Sequence, residues 1–244
     1  MRRPPPANDP PRRTPASNRR RLAVALASAV LAGGLAACSG GPNAFSGPAP
    51  QRAGPVVTYV SVTEAQQDQP GDARTSWTQQ FYRSSLPAWA TAYELDLPSG
   101  WEFSEPSLIS EVLALRPTVV TVALGLDEAF DGTGVLEFAG ALRQLLVALH
   151  KAGVPTVLVA NVLPLPGSPP DSSELTSLIH AYNVTIATES AAEDAVLVDA
   201  HDAFARALQT GQPVMAYGNS LTTLGENLMA GAFEAEAKHH VFWR

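Results

Sequence analysis

The sequence lacks the glycine-rich loops with which many α/β proteins hold nucleotide phosphates. Neither a Gly-x-Gly-x-x-Gly segment nor a Gly-Lys-Ser/Thr segment follows any of its apolar runs. Its five histidines do not show the spacing that is typical of metal ligands, and no internal repeat is present. These absences argue against nucleotide binding and against a metal site, and we expect no cofactor.

Basic residues are scarce beyond the amino terminus. Seven of the sixteen Lys and Arg precede residue 22, and residues 22–244 carry nine of them against twenty-two Asp and Glu, a net charge of −13. A domain with so much negative charge repels phosphate groups. The composition therefore argues against a nucleic-acid partner, and it predicts repulsion from anionic lipid headgroups.

The chain also lacks an apolar run of the length that an ordinary membrane-spanning helix needs. Residues 22–37 are sixteen apolar and small residues, whereas a spanning helix takes about 20. This run follows an Arg- and Pro-rich segment, which is the pattern of a secretory signal. Residues 1–37 are therefore predicted to be a signal peptide, and the chain is expected to be exported. Whether export uses the general or the twin-arginine route stays open.

The single cysteine follows this run directly. Leu35-Ala36-Ala37-Cys38 resembles the bacterial lipobox, in which the cysteine is acylated and becomes the mature amino terminus. The alternative is a small buried cysteine with no such role. The segment up to residue 55 is rich in Gly, Pro and Ser with little to bury, as linkers are. We expect residues 38–55 to be a tether from a lipid anchor at Cys38, outside the cytoplasm, to a monomeric folded domain at 56–244.

Apolar runs alternate with segments of helical periodicity in residues 56–244. At 45% hydrophobic residues the chain can bury one full core, so a single domain is expected. Strand candidates are 56–62, 91–97, 119–124, 156–162 and 195–198. Helix candidates are 76–86, the segment before Pro117, 134–152, 172–192, 203–208 and 222–239. The alternation predicts an α/β fold, with a doubly wound, mostly parallel sheet of about five strands between helical layers.

Acidic residues follow two of the predicted strands. The run 119–124 is apolar without alternation, as in a central parallel strand, and Asp127 and Glu128 come directly after it. Glu64 lies at the end of the first strand. Ligands of such sheets bind beyond the carboxyl ends of the strands, so neighbouring strands would bring these acids into one crevice. They could act as an acid and a base, or bind a cation or a sugar hydroxyl; the simpler interpretation is solvated loop acids.

In order and spacing, these segments resemble the SGNH or GDSL hydrolases, a family of flavodoxin-like serine esterases. The resemblance implies that Ala65, in Thr63-Glu64-Ala65, holds the position of the nucleophilic serine of Gly-Asp-Ser. Asp127, in Gly125-Leu126-Asp127-Glu128, would replace the asparagine that binds the oxyanion. Tyr217 and Ser220 would replace the aspartate and histidine of the Asp-x-x-His block, whereas Gly100 fits the family's glycine donor.

These replacements imply a loss of esterase chemistry. A methyl group cannot attack a carbonyl, an ionised carboxylate has no proton for an oxyanion, and neither Tyr217 nor Ser220 can replace the basic pair. The hypothesis is an inactive hydrolase fold with a binding or scaffolding role, whose ligand is an envelope glycan or an acyl group. Its cleft would be lined by Glu64, Ala65, Gly100, Trp101, Asp127, Glu128 and Ser220.

Two alternatives remain open. One is a divergent ester hydrolase that uses other residues. His201, just past the last strand, is a candidate for its base, because it is close to the carboxyl edge of the sheet. The other is an envelope interaction module that uses an outer face of the domain and not the cleft.

Overall fold

The computed structural model describes residues 56–64, 76–97, 106–165, 174–216 and 220–240. Its strands are β1 (Thr58–Glu64), β2 (Thr91–Leu97), β3 (Val119–Ala123), β4 (Thr156–Ala160) and β5 (Val196–Val198). Its helices are α1 (Trp77–Ser85), α2 (Pro106–Ala114), α3 (Leu126–Asp131), α4 (Val135–Lys151), α5 (Glu174–Ala192), α6 (Ala200–Gln209) and α7 (Thr223–His240). The predictions for Cys38, Ala65, Gly100, Trp101 and Tyr217 concern residues outside these ranges.

The five strands form one sheet in the order β2-β1-β3-β4-β5, and every neighbouring pair is parallel. All residues of β1, β3 and β4 are buried, which explains the apolar sequences of β3 and β4. The predicted α/β fold with a doubly wound parallel sheet is confirmed. No helix within the described ranges is both long and apolar enough to cross a membrane.

Alternate strand residues enter two hydrophobic cores, one on each face of the sheet. Val60 and Val62 of β1 belong to the core that includes Phe138 of α4, whose ring stacks on Tyr182 at 3.9 Å between centroids. Tyr59 belongs to the opposite core, which is covered by α1, α6 and α7. There the rings of Trp77 and Phe233 stack at 4.6 Å and join α1 to α7. Burial on both faces fixes the register of the strands.

The structure corrects the predicted boundaries of β1 and α6. Strand β1 lies two residues later than predicted, because Thr63 pairs with both Asp96 and Ala123 and so extends the ladder. Helix α6 begins at Ala200 and not at 203, since the Asp199 side chain accepts from the Asp202 N–H and caps it.

Helix α3 was not predicted at all. It has only six residues, between Gly125 and Gly132, and both glycines have positive φ angles, 115° and 74°. Too few residues lie between these glycines to show a helical period. Asp127 and Glu128 therefore lie on a helix and not in a loop.

The close approach of α7 to the 214–222 segment provides a stability test. A Cβ added at Gly225 would lie 2.1 Å from the Val214 carbonyl oxygen, whereas a Cβ at Gly231 of the same helix meets nothing within 4 Å. We expect Gly225→Ala to lower the free energy of unfolding by about 2 kcal/mol through this backbone clash. Gly231→Ala should raise it by about 0.8 kcal/mol through helix propensity. Urea unfolding measures both, and changes of the same sign would contradict the packing of α7.

Candidate functional site

Glu64 joins the carboxyl end of β1 to the start of α3. Because β1 and β3 are neighbours, its carboxylate reaches the turn beyond β3, where Oε1 accepts from the backbone N–H groups of Gly125 at 2.5 Å and Leu126 at 2.8 Å. The side chain is only 2% exposed. A Cβ at Gly125 would lie 2.7 Å from a Val162 methyl carbon, so the turn needs glycine for space as well as for its positive φ.

Three carboxyl groups meet at this point. Burial, followed by the charges of Glu128 and Asp127, raises the pKa of Glu64 well above its usual range. Burial also raises the pKa of Glu128, whose side chain hydrogen-bonds to Glu64 and whose Oε2 atom is buried with no hydrogen-bond partner in the described residues. Two carboxyl groups in contact do not both ionise readily. Glu64 and Glu128 therefore hold a proton more readily than isolated glutamates do.

Asp127 lies in the first turn of α3, one residue from each of Leu126 and Glu128. Its side chain is buried and the residue is only 8% exposed. Burial raises the pKa of Asp127, and the charge of Asp131 one turn later adds to the effect. The interpretation of these acids as solvated loop residues is therefore wrong for Glu64 and Asp127, while Glu128 is half-buried.

A metal ion is not supported at these acids. Within the described ranges no group of three or more His, Cys, Asp or Glu side chains has the arrangement needed to hold one. Glu64 already directs its carboxylate to backbone N–H groups, which orients it for hydrogen bonding and not for coordination. Proton exchange and hydrogen bonding to a neutral ligand are the chemistry that the three acids can perform.

Ser220 lies just before α7, at the same edge of the sheet. Its carbonyl oxygen accepts from the Ala216 N–H at 2.8 Å, next to the antiparallel bridge between Met215 and Leu221. The side chain is half-buried. The first turn of α7 is held against the start of α1 at this edge, because the Trp77 N–H donates to the Glu226 carboxylate at 2.6 Å.

The five histidines lie elsewhere. His201, the second residue of α6, donates its backbone N–H to Asn161 Oδ1 beyond β4, so it sits near the ends of β4 and β5 and not near β1. Its imidazole nitrogen is 3.9 Å from a carboxylate oxygen of Asp202. His180 is exposed on α5, and the other three lie in the last turns of α4 and α7, at the opposite edge.

Sequence reasoning missed Glu226, a buried acid beneath this edge. It is 1% exposed, its Oε2 caps α1 through Trp77, and its Oε1 is buried with no hydrogen-bond partner in the described residues. Burial raises the pKa of Glu226 to about 7, opposed by the Trp77 N–H and reinforced by the charge of Glu94. The signal was present in the sequence, since Glu226 is three and seven residues from the core residues Met229 and Phe233.

Glu226 should make the stability of the fold depend on pH. Its pKa is about 7 when folded and about 4.5 when unfolded, so the folded state binds more protons between these values and loses stability as the pH rises through them. We expect Glu226→Gln to be more stable than the natural chain by about 3 kcal/mol at pH 8, and similar to it at pH 4.5. Urea unfolding at both pH values measures this. Asp202→Asn, which removes an exposed carboxyl, is the control, and an equal pH effect in both variants would contradict the role of Glu226.

Comparisons with known proteins identify the fold family. A solved α/β hydrolase from the metagenome of Lake Arreo, Spain, is similar with 15% identity and a TM-score of 0.63, over 75% of this chain and 95% of that one. An acetylxylan esterase from Geobacillus stearothermophilus shows 17% identity and a TM-score of 0.62, over 78% and 97%. None of the curated proteins compared with the chain matches it. The model of the GDSL-like Lipase/Acylhydrolase family matches residues 61–219, and the chain belongs to that family.

Proposed function

We propose that this chain is a lipid-anchored member of the family that has lost ester hydrolysis and uses its cleft to bind a carbohydrate or acyl ligand of the cell envelope. The observation that carries the proposal is the buried acid group at the end of β1 and β3. Asp127, which the resemblance aligns with the family's oxyanion-binding asparagine, lies beside the Glu64–Glu128 pair.

This group of acids is unfavourable for ester hydrolysis. The tetrahedral intermediate of acyl transfer develops a negative charge, which active esterases stabilise with hydrogen-bond donors. Removing a single such donor costs about 2.7–4 kcal/mol of transition-state stabilisation, and a carboxylate at the same place adds repulsion. The N–H groups of Gly125 and Leu126, which are possible donors at this turn, already donate to Glu64.

The residue at the position of the catalytic base also argues against ester hydrolysis. The resemblance aligns Ser220 with the histidine that takes the proton of the nucleophile in the family, and a hydroxyl is far too weak a base for that at neutral pH. His201 follows β5, and β3 and β4 lie between β5 and β1 in the sheet. A hydrolase would have to recruit a base from a different place.

A polyhydroxylated ligand fits the acids better than an anionic one. Carboxylates accept hydrogen bonds from hydroxyl groups, and a carboxylic acid donates one. Glu128, the half-buried member of the group, can therefore pair with a sugar hydroxyl, while Glu64 and Asp127 lie buried beside it. The solved relative from Geobacillus stearothermophilus is described as an acetylxylan esterase, an enzyme of carbohydrate esters. That relationship supports carbohydrate as the class of ligand.

Loss of hydrolysis is tested with a serine-reactive probe and an ester substrate. We expect the full chain to show no fluorophosphonate labelling, and to cleave p-nitrophenyl acetate no faster than its Asp127→Asn and Ser220→Ala variants. Acetylated xylo-oligosaccharide should bind without losing its acetyl groups. An active family esterase treated in parallel shows that probe and substrate work.

The opposite result would establish the second candidate, a divergent ester hydrolase, which the similarity to solved esterases favours. In that case a serine of the chain would be labelled, and ester cleavage would exceed that of both variants well above background. Mapping the labelled peptide would then identify the nucleophile directly.

The lipid anchor at Cys38 has its own test. We expect the natural chain, expressed in a bacterium, to incorporate labelled palmitate, and its amino-terminal peptide to have the mass of an acylated cysteine. Cys38→Ser should lower the incorporation to background, because a hydroxyl cannot form the thioether. Ser39→Ala is the matched control and should keep the label. Equal labelling of both variants would show that the lipid is not on Cys38.

A further inference from the structure

The amino edge of the sheet, opposite the candidate site, is where the chain enters the folded domain. Val56, the first described residue, is 76% exposed and lies two residues before β1. The Thr91 N–H donates to the Val57 carbonyl and the Thr118 N–H to the Thr58 carbonyl. The turns that lead into β2 and β3 therefore flank the point of entry on both sides.

Exposed apolar and cationic side chains surround this entry point. Trp89, in the turn before β2, is 55% exposed. Arg116, in the turn before β3, and Arg83, in the last turn of α1, are both exposed. Together with Val56 these residues form what we call the amino-edge patch. Tyr93, 41% exposed on the edge strand β2, is close to it in sequence.

The patch belongs to a wider separation of charge between the two edges. The first turns of the helices, at the candidate-site edge, carry acids: Asp127, Glu128, Glu137, Glu174, Asp202 and Glu226. The last turns, at the amino edge, carry Arg83, His150, Lys151, Arg206, Lys238, His239 and His240. The total charge predicts repulsion from anionic lipid, but the negative charge is concentrated at the candidate-site edge and not at the amino edge.

Acids are also present at the amino edge, and exposed Glu111 of α2 precedes Arg116 of the patch by five residues. Glu193 and Asp194 precede β5, at the opposite margin of the sheet from β2. Glu234 of α7 is closer, and its carboxylate accepts from the Ser84 hydroxyl next to Arg83. The patch therefore combines an exposed indole with two guanidinium groups.

We propose that the amino-edge patch rests on the surface of the bilayer that holds Cys38, so that the candidate site faces away from the membrane. This inference rests on the lipid anchor of the proposed function. Indole rings favour the interface between headgroups and acyl chains, and arginine pairs with lipid phosphate. Both groups are present where the tether meets the domain.

Because of the tether, even a weak contact between the amino-edge patch and lipid is enough to orient the domain. Residues 38–55 are eighteen residues, which can extend to at most about 60 Å, and they end at Val56 within the patch. Attachment at such a length turns binding of the patch to lipid into an intramolecular event with an effective concentration in the millimolar range. A patch of four side chains can then remain on the bilayer although the free domain would bind poorly.

The test measures which edge of the anchored protein is near lipid. The full chain is purified in its acylated form and reconstituted into vesicles of phosphatidylcholine and phosphatidylglycerol. Acylation leaves Cys38 without a free thiol, so a maleimide fluorophore reports only the cysteine of Ala88→Cys, beside Trp89, or of Leu136→Cys. Leu136 is 90% exposed in the first turn of α4, at the candidate-site edge, which makes it the matched control.

Quenching by a headgroup-linked spin label should be stronger at position 88 than at 136 by on the order of threefold or more, because interfacial groups lie within about 10 Å of the headgroup boundary. Adding Trp89→Ser and Arg116→Ser to Ala88→Cys should abolish the difference. Equal quenching at the two positions, or a difference that survives those substitutions, would overturn the proposal.

The remaining outcomes separate this inference from the proposal it rests on. A mass of the amino-terminal peptide without lipid would overturn the anchor, and the orientation with it. An acylated protein without the difference in quenching would overturn the orientation alone. Self-quenching at position 88 that grows with protein density, without quenching by lipid, would assign the patch to a second copy of the chain instead.

Discussion

The hydrogen bonds from the Gly125 and Leu126 N–H groups to the Glu64 carboxylate are the constraint on which the candidate site depends. They hold α3 at the end of β1, and α3 carries both Asp127 and Glu128. A carboxylate that is removed from water is costly unless its oxygens are satisfied, so the two N–H donors are what allow Glu64 to be 2% exposed. The remaining cost appears as its raised pKa, and the pKa of Glu128 is raised as well. A movement of α3 would therefore change both the position of Glu128 and the protonation of the Glu64–Glu128 pair.

The same contact limits the chemistry of the edge. Donors that face a crevice can stabilise an anion, but donors that already bind a carboxylate cannot. The acids, in turn, place carboxyl oxygens, ionised or protonated, at this edge and just beneath it. A neutral ligand with hydroxyl groups makes favourable contacts with both kinds of oxygen, whereas the oxyanion of ester hydrolysis does not. For this reason membership of a hydrolase family and a binding function are compatible in one chain: the family match describes the scaffold, and the side chains at the edge decide what it does.

The sequence predicted the scaffold well because burial on both faces leaves a clear pattern. The unbroken apolar runs of β3 and β4 and the strand β2 were located to within two residues, and the parallel neighbours β1 and β3 follow from the fold class. The failures have local causes. Helix α3 is shorter than two helical turns and is bounded by glycines, so it has no period to detect. The burial of Glu64 and Asp127 depends on contacts between strands, which no local pattern contains. Glu226 was missed because acids are rarely expected on the face of a helix that packs into a core. Its spacing from Met229 and Phe233 nevertheless places it on that face of α7.

The separation of charge between the two edges follows from helix physics and sheet topology together. Acids are favourable in the first turn of a helix and bases in the last, because of the partial charges at the helix ends. In a parallel sheet each strand is followed by a crossover that returns the chain to the edge where the strands begin. The helices therefore run opposite to the strands, and all of them begin at the edge where the strands end. Every helix that follows this preference adds an acid to the candidate-site edge and a base to the amino edge. A chain with a net charge of −13 beyond residue 21 can therefore keep cations at the amino edge of the sheet, and acids at the candidate-site edge.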